Sequence, residues 1–170
     1  MNKKAIFAGG CFWCIADKFY SIDGVIDVYS GYAGGFKENP NYLEVKSGTT
    51  GHKECIMILY DDNKVSYETL VNIYFENIDP FDDDGQFIDR GSSYQTAIFT
   101  NDEKEILYVK NVIKTIEDKY QKKVEVKLLN LNKFYLAEEE HQKYSLKNPD
   151  EFLNEEIISG RKDYKWIKLN

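Results

Sequence analysis

Apolar residues recur along the chain in short runs and alternating patterns that are typical of β-strands. Five segments have this character, at residues 5–8, 25–32, 55–60, 94–99 and 124–131. Gly9 and Gly10 follow the first run directly, and paired glycines favour a turn. The sequence therefore predicts five strands, and the first of them ends in a glycine turn.

Between these runs, apolar residues recur at intervals of three and four, which is the spacing of a helix. One helix is predicted to begin at Cys11. A second follows Ser66, which favours the N-cap, and ends before Pro80. A third follows Asp102, with Glu105 three residues later as in a capping box. The three apolar stripes are Phe12, Ile15, Ala16 and Phe19; Leu70, Ile73, Tyr74 and Ile78; and Ile106, Val109, Val112, Ile113 and Ile116.

The order of these elements and the length of the chain indicate one domain. Strands and helices alternate without repeats or linkers, which favours an α+β fold with a mixed sheet covered by helices. A chain of 170 residues is long enough for one core and short for two. With 42% apolar and 15% aromatic residues, the composition is that of a globular protein.

The charge and the cysteine content limit the classes of binding partner and the cellular compartment that we expect for this protein. The net charge is −7, from 22 basic and 29 acidic residues, which argues against nucleic acid and anionic membranes as main partners. The N-terminus has four apolar residues before Gly9, and a signal peptide needs about 7–15. Three cysteines do not form a secreted disulfide framework. A reducing, cytoplasmic location is therefore expected.

Cys11 and Cys14 form a Cys-x-x-Cys pair at the predicted helix start. Unpaired N–H groups and the helix dipole lower the pKa of a thiol at this position, so Cys11 is expected to be a thiolate nucleophile. Cys14 lies one turn further on nearly the same face. The pair can therefore cycle between dithiol and disulfide, although two buried, inert thiols are also consistent with the pattern.

Two other sites fit the same cysteines. A thioredoxin-like dithiol site needs a cis-proline loop, but none of Pro40, Pro80 and Pro149 precedes a strand in the required way. A zinc-stabilised binding module would draw on four ligands of suitable type. They are Cys11, Cys14, His52 and Cys55. If a strand runs through residues 52–55, however, an offset of three places His52 and Cys55 on opposite faces.

Four segments decide between these alternatives. They are "GCFWC", "GYAGGFKENPNYLEVKSGTTGHKE", "DRGSSYQTAIF" and "FYLAEEEHQKY", in this order over residues 9–144. Together they resemble the methionine sulfoxide reductase A family. The resemblance implies reduction of the S epimer of methionine sulfoxide, free or in proteins. The implied architecture is a single α+β catalytic domain over residues 1–170, in two layers as a ferredoxin-like plait.

The resemblance also implies a role for each matching residue. Cys11 is the expected nucleophile, and Glu54 is the expected acid that protonates the sulfoxide oxygen. Burial beside aromatic rings would keep the Glu54 carboxyl protonated near neutral pH. The remaining catalytic residues are Tyr42, Tyr94 and Asp89. Phe12 and Trp13 are expected to form the wall for the substrate methyl group, and Trp13 lies off the apolar stripe of its helix.

The route back to the reduced enzyme stays open in the sequence. No cysteine follows Cys55, and Lys46 stands where many relatives have a cysteine. Resolution of a Cys11 sulfenic acid therefore falls to Cys14, to Cys55 or to an external thiol, and Cys14 is preferred because it is nearest. We expect thioredoxin or a similar reductant, no cofactor or metal, and a monomer. His52 and His141 are expected to be structural.

Overall fold

The computed structural model describes residues 1–167. Its strands are β1 (Asn2–Ala8), β2 (Val25–Ala33), β3 (Lys53–Asp61), β4 (Gly85–Gln86), β5 (Asp89–Arg90), β6 (Ala97–Phe99), β7 (Lys127–Leu129) and β8 (Phe134–Leu136). Its helices are α1 (Phe12–Asp17), α2 (Tyr42–Lys46), α3 (Tyr67–Glu76), α4 (Glu103–Tyr120), α5 (Tyr144–Lys147) and α6 (Pro149–Ser159). Single 3-10 turns are formed by Ser92–Tyr94 and Glu139–His141. The fold is α+β, as the sequence predicts.

Six of the strands form one mixed sheet in the order β7-β6-β1-β3-β2-β8. Neighbouring strands are antiparallel except β6 and β7, which run parallel. β4 and β5 form a separate two-stranded ribbon. The first strand of the chain thus lies near the middle of the sheet, and its C-terminal end leads into the glycine turn and α1.

The main core lies between one face of the sheet and the helices. Because side chains alternate along a strand, Ala5 and Phe7 of β1 face the helices, whereas Ile6 and Ala8 face the other side. The large core residues contributed by α1 and α3 include Phe12, Ile15, Leu70, Val71, Tyr74 and Phe75, and Phe19 joins them just after α1. β3 follows the same alternation, so Glu54 projects toward the helices and Cys55 away from them.

Local sequence signals set the helix ends. Ser66 accepts a hydrogen bond from the Thr69 N–H at the start of α3, and Asp102 accepts from two N–H groups at the start of α4. Both are N-caps, as predicted. Glu105 does not complete a capping box, because its carboxylate accepts from the Thr100 hydroxyl instead.

Two predicted strands are shorter than expected. In the segment 94–99 only Ala97–Phe99 forms a strand, because Gly91, with φ 109°, starts the 3-10 turn that contains Tyr94. In the segment 124–131 only Lys127–Leu129 pairs in the sheet. No helix within residues 1–167 combines the length and apolar character needed to cross a bilayer.

Candidate active site

The glycine turn places Cys11 at the edge of the core. Gly10 has φ +83°, and a Cβ atom there would lie 2.6 Å from the Gln86 Cβ, so a larger residue would strain the turn. The Tyr74 hydroxyl donates a 2.6 Å hydrogen bond to the Ala8 carbonyl and ties β1 to α3 immediately before the turn. Cys11 then serves as the N-cap of α1. This confirms the predicted position at a helix start.

The two neighbouring thiols interact directly. Cys11 is half-buried, Cys14 is 4% exposed, and both are free thiols. A hydrogen bond with Cys14, followed by burial, raises the pKa of the Cys11 thiol well above its usual value. The expectation that the helix start lowers this pKa is therefore wrong. A helix of only six residues contributes too little to offset the neighbouring thiol and the loss of water.

Glu54 lies beneath α1 with its carboxyl group enclosed. The side chain is 1% exposed, and the Phe12 N–H donates a 3.1 Å hydrogen bond to Oε1. The other oxygen, Oε2, is buried and has no hydrogen-bond partner among the described residues. Burial, reinforced by the charge of Cys11, raises the pKa of Glu54 well above its usual range. The expected burial of this acid is confirmed, and the raised pKa favours the protonated form of its carboxyl group.

Two phenol groups complete the polar part of the site. Tyr42 begins α2, and its side chain is hydrogen-bonded to that of Tyr94 from the 3-10 turn. Burial raises the pKa of Tyr42 to about 12 and raises that of Tyr94 as well. Both phenols therefore keep their protons and can donate hydrogen bonds at neutral pH.

The carboxyl group of Asp89 lies close enough to the other site residues to change their pKa values. Burial raises the pKa of its carboxyl group, and Arg161 opposes this shift. The charge of Asp89 in turn raises the pKa values of Cys11, Glu54, Tyr42 and Tyr94. The structure thus gathers the six residues predicted as catalytic, which come from α1, α2, β3, β5 and the 3-10 turn.

The aromatic wall is larger than the two predicted residues. Trp13 stacks on Tyr144, with ring centroids 3.8 Å apart and 10° between the ring planes, and lies nearly parallel to the ring of His141, at 5.7 Å and 20°. The indole N–H of Trp13 also donates a 3.2 Å hydrogen bond to the His141 Nδ1. Phe12 contacts both Tyr42, with ring centroids 6.2 Å apart, and His141, at 5.4 Å. An apolar wall therefore stands beside the thiol.

His141 and Glu138 support this wall, and sequence reasoning missed both roles. Burial lowers the pKa of His141, so its ring is neutral and accepts the Trp13 N–H. Glu138 accepts 2.9 Å hydrogen bonds from the Tyr32 hydroxyl and the Tyr42 N–H. Although burial opposes its charge, these donors lower the pKa of Glu138. Their position in the fourth motif is the signal available in the sequence, which predicts only a structural role for His141.

The proposed zinc ligands do not converge. His52 accepts from the Gly35 N–H through Nδ1 and meets the Lys37 carbonyl through Nε2. Cys55 contacts the Gly31 carbonyl on the opposite face of the sheet from Glu54. Within residues 1–167, the cluster with metal-ligand spacing contains Glu138, Glu140 and His141 and includes no cysteine.

Comparison with known proteins gives matches over nearly the whole chain. The family model described as peptide methionine sulfoxide reductase matches residues 3–168. A peptide methionine sulfoxide reductase MsrA of Ligilactobacillus salivarius is 44% identical over 168 residues, covering 97% of each chain. Mxr1 of Saccharomyces cerevisiae in reduced form has a TM-score of 0.82 at 27% identity, covering 88% of this chain and 87% of that one. Mxr1 in complex with Trx2 has a TM-score of 0.57 at 18% identity, covering 84% of each chain, and this last likeness concerns the fold alone.

Proposed function

The chain belongs to the peptide methionine sulfoxide reductase family, and we propose that it reduces the S epimer of methionine sulfoxide, free or in proteins, to methionine. One observation carries the chemical argument. The protonated carboxyl group of Glu54 is held against the N–H of Phe12, the residue next to Cys11, and one of its oxygens has no partner. A nucleophilic sulfur and a proton donor therefore flank the same space.

The first step moves oxygen between two sulfur atoms. The Cys11 sulfur, as thiolate, attacks the sulfoxide sulfur, and Glu54 gives its proton to the sulfoxide oxygen. The attack forms a bond between the two sulfur atoms. The protonated oxygen then passes to the Cys11 sulfur as the substrate S–O bond and the sulfur–sulfur bond break, which releases methionine and leaves a sulfenic acid on Cys11. Cys11 loses two electrons and the methionine sulfur gains them. Tyr42 and Tyr94 donate hydrogen bonds to the oxygen while its negative charge develops, and Asp89 helps keep Glu54 protonated.

The aromatic wall accounts for substrate recognition. Phe12 and Trp13 offer ring surfaces to the methyl group and sulfur of the substrate, and such contacts contribute about 0.3–1.5 kcal/mol each. The Trp13 ring is fixed by its stack with Tyr144 and its hydrogen bond to His141. A fixed wall on one side of the sulfur favours one epimer, because the methyl group and the oxygen cannot exchange places.

Recycling is assigned to Cys14. A sulfenic acid condenses with a nearby thiol to give a disulfide and water, and the Cys14 side chain is hydrogen-bonded to Cys11. Cys55 points to the other side of the sheet. A dithiol protein such as thioredoxin then reduces the Cys11–Cys14 disulfide. Mxr1 of yeast has been solved with Trx2, which supports this kind of reductant.

Several broader features are part of the same proposal. The strand order β6-β1-β3-β2, with all neighbours antiparallel and helices on one face, supports a ferredoxin-like plait. We take residues 1–170 as one catalytic domain that acts as a monomer. The chemistry above needs no prosthetic group or metal. A reducing location, the cytoplasm, suits a catalytic cycle that depends on free thiols.

Separated epimers provide the test. With dithiothreitol as reductant, the protein is expected to reduce the S epimer and leave the R epimer almost untouched. Cys11→Ser should abolish the reaction, and Cys55→Ser, a thiol removed from the far side of the sheet, serves as the control. Equal turnover of both epimers, or activity that persists in Cys11→Ser, would contradict the proposal.

A further inference from the structure

A buried arginine lies directly behind the glycine turn. Arg161 follows α6 and is 4% exposed. Its Nη2 donates a 2.7 Å hydrogen bond to the Gly9 carbonyl, 152 residues earlier in the chain. A Cβ atom on Gly10 would lie 2.7 Å from the same nitrogen. The guanidinium group thus contacts the backbone of Gly9 and Gly10, immediately before Cys11.

Arg161 forms no ion pair within the described part of the chain, although its charge acts on the nearby carboxyl group of Asp89. Its Nε and Nη1 atoms are buried without hydrogen-bond partners within residues 1–167, where no ion pair to it is found either. The ring of Phe87 packs on the guanidinium carbon at 4.6 Å. A guanidinium group stays charged at all ordinary pH values, and a buried charge without a partner is costly. Such an arrangement favours negative charge nearby, and a Cys11 thiolate would add to the charge of Asp89.

We propose that Arg161 is a positioning residue that fixes the turn behind Cys11 and supplies the positive charge that stabilises the Cys11 thiolate. The inference rests on the proposed function in that it takes Cys11 as the nucleophile. The thiol proton leaves to solvent, and the resulting anion faces a cation already in place. No reorganisation of the turn is needed, because the hydrogen bond to Gly9 holds the guanidinium group there in advance.

The other groups around Cys11 explain why a cation is needed. The Cys14 hydrogen bond, burial and the charge of Asp89 all raise the pKa of the Cys11 thiol, and Arg161 lowers it. Further acidic or phenolic groups face the same thiol from β3, α2, the 3-10 turn and α5. They are Glu54, Tyr42, Tyr94 and Tyr144. Arg161 opposes these effects, so its removal would raise the pKa of the thiol further.

The test measures the reactivity of the Cys11 thiol in the absence of any sulfoxide. The rate at which iodoacetamide alkylates Cys11 is followed against pH, with tandem mass spectrometry assigning the label to Cys11 rather than Cys14. Arg161→Gln removes the charge and keeps a hydrogen-bond donor, and Arg161→Lys keeps the charge. Lys162→Gln removes a neighbouring exposed charge and is the matched control. Thermal unfolding of each variant checks the fold.

The pH midpoint is expected to rise by about one unit in Arg161→Gln, the size of shift that a nearby charge produces. Alkylation below the midpoint then slows roughly tenfold. Arg161→Lys should recover most of the shift, and Lys162→Gln should match the unmodified protein. An unmoved midpoint in Arg161→Gln, equal shifts in both Arg161 variants, or failure of both to fold would each overturn the inference. Because no sulfoxide is present, these outcomes are independent of whether the chain reduces methionine sulfoxide.

Discussion

Replacing Glu54 with glutamine isolates the proton from every other feature of the acid. The amide has the shape of the carboxyl group, its oxygen can still accept the Phe12 N–H, and its nitrogen can still donate to the sulfoxide oxygen. Only the transferable proton is lost. A positioned general acid contributes about 10²–10⁴ in rate, so the rate of the chemical step in Glu54→Gln should fall by that factor. Substrate affinity should change little, since the aromatic wall is untouched.

The pH dependence of the reaction rate gives a second test of the proton on Glu54. Because burial raises the pKa of Glu54, the chemical step in the unmodified protein should slow as pH rises through that value and the acid loses its proton. Glu54→Gln should lack this fall. In single-turnover assays on the S epimer, we expect the ratio of unmodified to variant rates to be largest below the Glu54 pKa and to shrink above it.

Stability gives an independent measurement of Glu54. Its folded pKa lies above the unfolded value, which is about 4.3 for glutamate. Between these two values the folded chain binds more protons than the unfolded chain. The free energy of unfolding therefore falls as pH rises, by at most about 1.4 kcal/mol per pH unit. Glu54→Gln escapes this loss, so its stability relative to the unmodified protein should rise from about pH 4.5 upward, up to the folded pKa.

Both predictions for Glu54→Gln are tested with the same pair of variants. Single-turnover rates and denaturant unfolding are compared at several pH values for Glu54→Gln and for Glu38→Gln, which removes an exposed carboxylate. Near-normal turnover in Glu54→Gln across neutral pH would remove this residue from the mechanism. A stability difference that does not vary with pH would refute the buried, protonated acid itself.

Three further expectations follow from the site. Cys14→Ser should still release one methionine per chain but should accumulate a trappable sulfenic acid and recycle poorly with thioredoxin; peptide mapping that joined Cys11 to Cys55 would defeat the assignment. Tyr144→Ala should raise KM up to about tenfold, because an aromatic pair of the Trp13 kind contributes about 0.5–1.5 kcal/mol, and unchanged kinetics would show that the stack does not hold the wall. The purified protein should contain no stoichiometric zinc and should keep its fold in a strong chelator, and unfolding on chelation would favour the binding-module alternative.

The sequence patterns predict those strands and helix starts that depend on interactions between residues close together in the chain. The strands β1, β2 and β3 and the starts of α1, α3 and α4 follow from side-chain periodicity and from caps such as Ser66 and Asp102. The alternation of side chains along β3 also accounts for the placement of Glu54 and Cys55 on opposite faces of the sheet. These features depend on residues within a few positions of one another.

Contacts between distant parts of the chain could not be predicted in the same way. The hydrogen bond from Trp13 to His141 spans 128 residues, and no periodicity encodes it. The pKa of Cys11 was expected to fall because helix starts attract negative charge, but the hydrogen bond with Cys14 and burial raise it. The position of Arg161 depends on where α6 ends relative to β1, which only the assembled fold determines.

The hydrogen bond between Arg161 and Gly9 also sets an order of events during protein synthesis. The strand and turn that carry the nucleophile are made first, and their buried cation is made 152 residues later. At a synthesis rate of roughly 5–20 residues per second, this delay is on the order of 8–30 s. During that time the nascent chain already carries Cys11 but lacks the charge against its turn. On the ribosome, Cys11 should therefore react with thiol-directed reagents as an ordinary cysteine does, and the effect of Arg161 on its pKa should appear only after Arg161 has left the exit tunnel.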